Sequence, residues 1–177
     1  MNPASANLLV AIAERVAFVK IAGRANFALS VPFKTLLLGL GEQGFRDFVL
    51  DLTECGTMDS TFLGVLAGLA LNQPENNPAP GPFCLQLLSP NQRVSDLLEN
   101  LGVAHLFTMI RGGNPMESAL ALSPPPDVTP TREEISRTCL EAHQLLMKVN
   151  PENIPKFKEV TQFLAEDLKK LNSKEGR

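Results

Sequence analysis

The chain has no tryptophan, no tyrosine, only two histidines, and three cysteines set far apart at Cys55, Cys84 and Cys139. With a formal net charge of -3 as well, it offers no broad basic surface interleaved with stacking aromatics, the equipment that grips a nucleic-acid backbone. Direct DNA or RNA binding is therefore not expected. An odd number of cysteines in no Cys-x-x-Cys spacing cannot form a complete disulfide set, which suits a reducing cytoplasm where thiols serve as small apolar residues. Two distant histidines and three scattered cysteines give no usual ligand cluster, so neither metal nor cofactor is expected. Long hydrophobic runs are missing too: polar residues interrupt every apolar stretch before the roughly 20 residues that span a bilayer. The opening MNPASANLLVAIAERVAFVK lacks a basic start, an apolar core and a small-residue cleavage site in that order. The expectation is a soluble cytoplasmic protein with no direct membrane insertion.

The 177 residues, 44% hydrophobic and 20% charged, suffice for one full core plus an appendage. Apolar, β-branched stretches at 8–13 and 16–21 flank Glu14-Arg15 and predict an antiparallel hairpin, broken at Ala22-Gly23-Arg24. Ser30 then stands before Pro32, Phe33, Leu36, Leu37 and Leu40, a capped helix with an early proline that Gly41 and Gly44 stop. Residues 48–52 read as a covered strand, 53–59 as a loop, and Leu63, Leu66, Ala67 and Ala70 as a helix. A surface connection at 72–82, rich in Asn, Pro and Gly, precedes a strand at 83–88. Ser89-Pro90 caps a helix running to about Leu101, and 106–110 reads as a last strand. Alternating strands and helices predict an α/β fold, a mixed sheet that opens as a hairpin and continues by parallel crossovers beneath covering helices.

Consecutive prolines at 124–126 and Pro130 predict a stiff linker. Beyond it, Thr131-x-x-Glu134 is a capping-box pattern opening a helix with Ile135, Cys139, Ala142, Leu146 and Val149 on one face, ended by Asn150-Pro151. A second helix from about Asn153 carries Phe157, Val160, Leu164, Leu168 and Leu171 on one stripe. Such a hairpin is too small to hold its own core and must dock on its own domain, a second copy or a partner.

The chemistry-bearing segment is FVLDLTECGTMDSTFLGVLAGLA, residues 48–70, where a buried strand delivers Asp59-Ser60-Thr61 onto the first turn of a helix. Free N–H groups and the positive dipole end there suit an added phosphate, and the same residues are equally apt as plain helix caps. Spacing does not choose between the two. The segment resembles the STAS family, specifically bacterial anti-sigma factor antagonists, in which V-L-D-L is followed by M-D-S-S/T-G-L-G-V-L. Here Val49-Leu50-Asp51-Leu52 and the run Met58 to Leu66 stand in register with it, and a looser similarity covers 6–122. The resemblance implies a STAS-like mixed β-sheet covered by α-helices over 1–123, a proline-rich linker at 124–130 and a helical hairpin extension at 131–177 that the family does not explain.

It further implies a phosphorylation-controlled protein-binding switch in transcription regulation. The unphosphorylated form binds an anti-sigma factor that is itself a serine kinase, phosphate on Ser60 releases it, and a phosphatase resets it. Asn26, Asp59, Ser60, Thr61, Phe62 and Leu63 are the expected partner contacts. Phe62 stands where the family usually has glycine, and Gly23-Arg24-Ala25-Asn26 where many members have Gly-Glu-Leu-Asp. Both departures favour a constitutive STAS adaptor or scaffold, in which Ser60 is only a cap and the hairpin at 131–177 makes the specific contact. A more distant rival, also without phosphorylation control, is an accessory subunit of a membrane transport system, and self-association through 131–177 is a further option. Enzyme chemistry is not expected: Ser60 has no Gly-x-Ser-x-Gly elbow, and His105 and His143 show no oriented partner in sequence. The string Gly39-Leu40-Gly41-Glu42-Gln43-Gly44 follows a helix, not a strand, and so lacks the context of a dinucleotide site.

Overall fold

The computed structural model describes residues 7–71, 81–112 and 121–176; most of the connection expected at 72–82 lies outside them. Strands β1 (Asn7–Ala13) and β2 (Val16–Ala25) pair antiparallel. Their two-residue turn places Glu14 at φ 54°, the left-handed region that tight hairpins require. The predicted break at Ala22-Gly23-Arg24 does not end β2. Gly23, at φ 84°, absorbs a register shift, and the strand runs on to pair in parallel with β4 (Cys55–Met58), inside what the sequence reads as a loop. Between them lie α1 (Phe27–Glu42) and β3 (Asp47–Asp51), followed by α2 (Ser60–Leu71), β5 (Cys84–Leu88), α3 (Gln92–Asn100) and β6 (Thr108–Ile110). The sheet order is β1-β2-β3-β5-β6, parallel beyond the first hairpin. The expected mixed sheet covered by helices, with a C-terminal helical hairpin, is the fold observed.

Two helix starts differ from their predicted caps. Asn26, not Ser30, caps α1, its side chain accepting from the Leu29 N–H. Ser30 sits one turn inside and donates to the Asn26 carbonyl, and Pro32 lies within the helix. Asn91, not Ser89, caps α3; Ser89 is held at φ 49° and its hydroxyl donates to the Gly112 carbonyl. Pro at the first helical position is a favoured signal, and here it points too late in one case and too early in the other. Gly39 and Gly41 belong to α1, whose end is marked by Gly44 at φ 99°.

The core gathers Phe48 and Leu50 of β3, Leu87 of β5, Phe33 and Leu37 of α1, and Phe62, Leu63 and Leu66 of α2. Phe33 and Phe62 rings pack 4.7 Å apart. Every residue of α2 from Thr61 to Leu69 is buried, as a helix apolar all round must be. Part of its cover is the hairpin of α4 (Arg132–Val149) and α5 (Ile154–Glu175), whose Ala142, Leu145 and Leu146 join the same core. Burying the two leucines stabilises docking by roughly 3–6 kcal/mol before ordering costs.

The predicted capping box forms atom for atom: the Thr131 hydroxyl accepts from the Glu134 N–H at 3.1 Å, and the Glu134 carboxylate accepts from the Thr131 N–H at 2.7 Å. The hairpin turn is fastened to the end of α3. Asn153, fully buried, donates to the Leu101 carbonyl at 3.0 Å, and Lys156 Nζ donates to the Asn100 carbonyl at 3.0 Å. Upstream, Ser123 exchanges two backbone hydrogen bonds with Val10, and Pro125, Pro126 and Val128 close an apolar groove of about 280 Å³ against Val10, Ile12 and Leu36. No helix among the described residues is long and apolar enough to cross a membrane.

Candidate functional site

The site begins where β4 hands the chain to α2. The Asp59 N–H donates to the Ala25 carbonyl at 2.9 Å, fixing the residue beside the end of β2. Its carboxylate then divides: Oδ1 accepts from the Phe62 N–H and Oδ2 from the Phe27 N–H, both at 2.8 Å. One acid thereby caps α2 and α1 together, satisfying backbone donors that a helix start leaves open.

Ser60, the first residue of α2 and half-buried, turns its hydroxyl to His143 of α4, with Oγ 2.8 Å from Nε2. The other ring nitrogen, Nδ1, lies 2.7 Å from the Cys139 carbonyl. A carbonyl only accepts, so Nδ1 carries the proton, Nε2 is left as acceptor and the Ser60 hydroxyl donates to it. His143 is buried and packs its ring 4.8 Å from Phe157 of α5. Burial pushes its pKa below the ordinary histidine value, with the Cys139 carbonyl and the Asp59 charge opposing. The imidazole is accordingly neutral near pH 7.

Two further contacts tie the helices. The Thr61 hydroxyl donates to Cys139 Sγ at 3.6 Å, and burial raises the Cys139 thiol pKa. At Gly64 the two backbones meet: a Cβ added there would lie 2.6 Å from both Ala142 Cβ and the Ala142 carbonyl oxygen. The ion pair Lys34–Glu141, at 3.6 Å, joins α1 to α4.

Of the predicted contact residues, Asn26, Asp59 and Ser60 stand together at the paired helix starts and are each half-buried. Thr61 is turned under α4. Phe62 and Leu63 have no exposed surface, because the third and fourth positions of α2 point into the core, and the bulk of Phe62 meets Phe33 instead of solvent. Beside Asp59, Phe27 is half-exposed. His143 is the residue that reading the sequence passed over as a lone histidine. Its signal was its place four residues after Cys139, on the apolar face that carries Ala142 and Leu146; its partner is 83 positions away.

No protein-family model matches the chain and no curated protein matches it. Solved structures do. A putative anti-sigma factor antagonist from Thermotoga maritima aligns with a TM-score of 0.48 at 20% identity, over 59% of this chain and 85% of that one. The anti-sigma factor antagonist SpoIIAA in its unphosphorylated form aligns at 0.47 and 15% identity, over 63% and 93%. The Bacillus cell fate determinant SpoIIAA in the phosphorylated form aligns at 0.45 and 15%, over 60% and 92%. The structural neighbours are anti-sigma factor antagonists.

Proposed function

We propose that the chain is a protein-binding switch of the anti-sigma factor antagonist kind, with Ser60 as its phosphorylation point. The unphosphorylated form binds an anti-sigma factor that is a serine kinase, phosphate on Ser60 ends that complex, and a phosphatase restores it. The observation that carries this reading is the position of Ser60: the opening residue of a buried helix, behind an aspartate already committed to capping, in register with the Asp-Ser pair of the family motif. Asp59 makes the backbone caps, so the Ser60 hydroxyl is not needed to cap the helix. Its neighbours Asn26, Asp59 and Phe27 form the contact rim in this reading. The Ser60–His143 pair does not turn the site into a hydrolase. Nδ1 rests on a backbone carbonyl where a catalytic triad has a carboxylate that stabilises the imidazolium, and burial lowers the basicity of the ring.

The test is peptide-level mass spectrometry of protein recovered from its native cells with phosphatases inhibited, together with partner capture by wild type, Ser60→Ala and Ser60→Asp. Phosphate on Ser60, capture by wild type and Ser60→Ala, and loss of capture by Ser60→Asp are expected. An unmodified Ser60 and equal capture by all three sink the switch. One observation favours a second reading, the constitutive adaptor: the Ser60 hydroxyl is engaged with His143 beneath α4, as a residue with a purely structural role would be.

A further inference from the structure

Family motif and C-terminal hairpin are separate in sequence, yet they meet at one hydrogen bond. We propose that the α4–α5 hairpin is a built-in occupant of the partner surface, and that phosphate on Ser60 and the docked hairpin exclude each other. This rests on Ser60 being the acceptor. Docked, α4 covers Thr61 and Gly64 and holds the Ser60 hydroxyl. A helical partner that seeks the same face of α2 must displace it.

The geometry makes the exclusion steric as well as electrostatic. With Oγ and Nε2 at hydrogen-bond distance and the helix backbones touching one turn further on, a phosphate on Oγ has to displace the imidazole that α4 now holds there. Transfer forms the Ser60 Oγ–P bond as the terminal P–O bond of a nucleoside triphosphate held by the kinase breaks, and the hydroxyl proton leaves to solvent. The product brings about -1.5 to -2 charge beside the Asp59 carboxylate and against a neutral, buried imidazole. The Phe62 and Leu63 N–H groups are already bonded to Asp59 Oδ1 and to the Asp59 carbonyl and do not serve the phosphate. The hairpin stays tethered through the Val10–Ser123 pairing, so its effective concentration favours return once phosphate is removed.

The three cysteines report on this directly. Cys84 is exposed, Cys55 is buried, and Cys139 is half-buried in the α2–α4 contact. Purified full-length protein is alkylated with iodoacetamide and each site is timed by peptide mass spectrometry. In Ser60→Asp, labelling of Cys139 is expected to rise about tenfold or more over wild type while Cys55 stays protected, the mark of local rather than global opening. The added charge disfavours the thiolate, so it slows the reaction and cannot mimic the result. Ser60→Ala, which removes the hydrogen bond without adding charge, is expected to change Cys139 by about two- to tenfold, the worth of one such bond, and by less than Ser60→Asp does in the same assay. Ala142→Asp leaves Ser60 intact and must free Cys139 in the same way, which keeps the test open if Ser60→Asp unfolds and exposes Cys55. Protection of Cys139 in Ser60→Asp equal to wild type, as a carboxylate–imidazolium pair holding the hairpin down would give, overturns the exclusion; so does protection in Ala142→Asp. Phosphate on Ser60 in cells with no release of Cys139 removes this device and leaves the switch. Release of Cys139 in a protein that cells never phosphorylate supports the hairpin's antagonism to charge at Ser60 and removes the switch.

Discussion

Replacing Asp59 tests whether this residue is first a structural cap. Asp59→Ala removes two charge-assisted hydrogen bonds of 2.8 Å, one to each of two helix starts. The Phe27 N–H is at the exposed end of α1, where water replaces the lost acceptor and the cost is about 0.5–1 kcal/mol. The Phe62 N–H is part-buried, and leaving it unsatisfied costs about 1–3 kcal/mol. Together the loss is roughly 1.5–4 kcal/mol, a fall in Tm of about 3–16 °C for a chain of this size. Asp59→Asn keeps an oxygen for the Phe62 N–H but turns an NH₂ group toward the Phe27 N–H, so it is expected to lose only about 1 kcal/mol. Denaturant unfolding followed by circular dichroism, with equal m-values, gives both numbers. If Asp59→Ala costs less than about 0.5 kcal/mol, or the two variants are indistinguishable, the double cap is not what holds the helix starts together.

Three other outcomes are expected. Because burial lowers the folded pKa of His143 from 6.5, neither state holds the proton at high pH. As pH falls through that value the unfolded imidazole gains one that the buried ring refuses, and stability declines by up to about 1.4 kcal/mol per pH unit until the folded pKa is reached. His143→Gln should flatten that part of the pH–stability curve; an unchanged curve refutes the assignment. Gly64→Ala gains about 1 kcal/mol of helix propensity, yet its Cβ meets α4 backbone at 2.6 Å. Hydrogen exchange should therefore speed in α4 and α5 and stay unchanged in β3 and β5. We propose that the boundary of the sheet unit falls at the proline segment 124–130, so removal of 131–177 should leave a folded sheet whose bared α2 drives association, seen by light scattering. Complete melting would show instead that the hairpin completes the core.

Local signals in the sequence were read where they are strong and self-contained. Thr131 and Glu134 satisfy each other within one turn, and their capping box was legible from four residues. The strand run through Phe48 and Leu50 was likewise plain, because a buried parallel strand is a short unbroken apolar run. β4 was not legible, since Cys-Gly-Thr-Met has neither length nor alternation and owes its pairing to the part of β2 beyond Gly23. At the start of α1 the local cues compete: Asn26 caps the helix, Ser30 before Pro32 imitates a cap one turn later, and the second acceptor that favours the earlier start, the Asp59 carboxylate on the Phe27 N–H, is 32 positions away. At the candidate site, Asp59 and Ser60 were found from the motif. Their distinct tasks, and the meeting with His143, depend on α4 crossing α2, for which the chain carries only an indirect sign: a helix with no polar side had to be covered by something.

The cover on α2 is also made well after α2 itself. The chain is synthesised from its N-terminus at about 5–20 residues per second, and what is complete folds first. The residues that close over Ser60 and Gly64 lie in Arg132–Val149, far downstream of the helix that they cover. Each new molecule thus passes several seconds with a finished motif and no lid. On the proposed competition between hairpin and partner, a partner present at the ribosome meets the surface before its intramolecular competitor exists, and nascent and mature chains differ in availability without any difference in sequence.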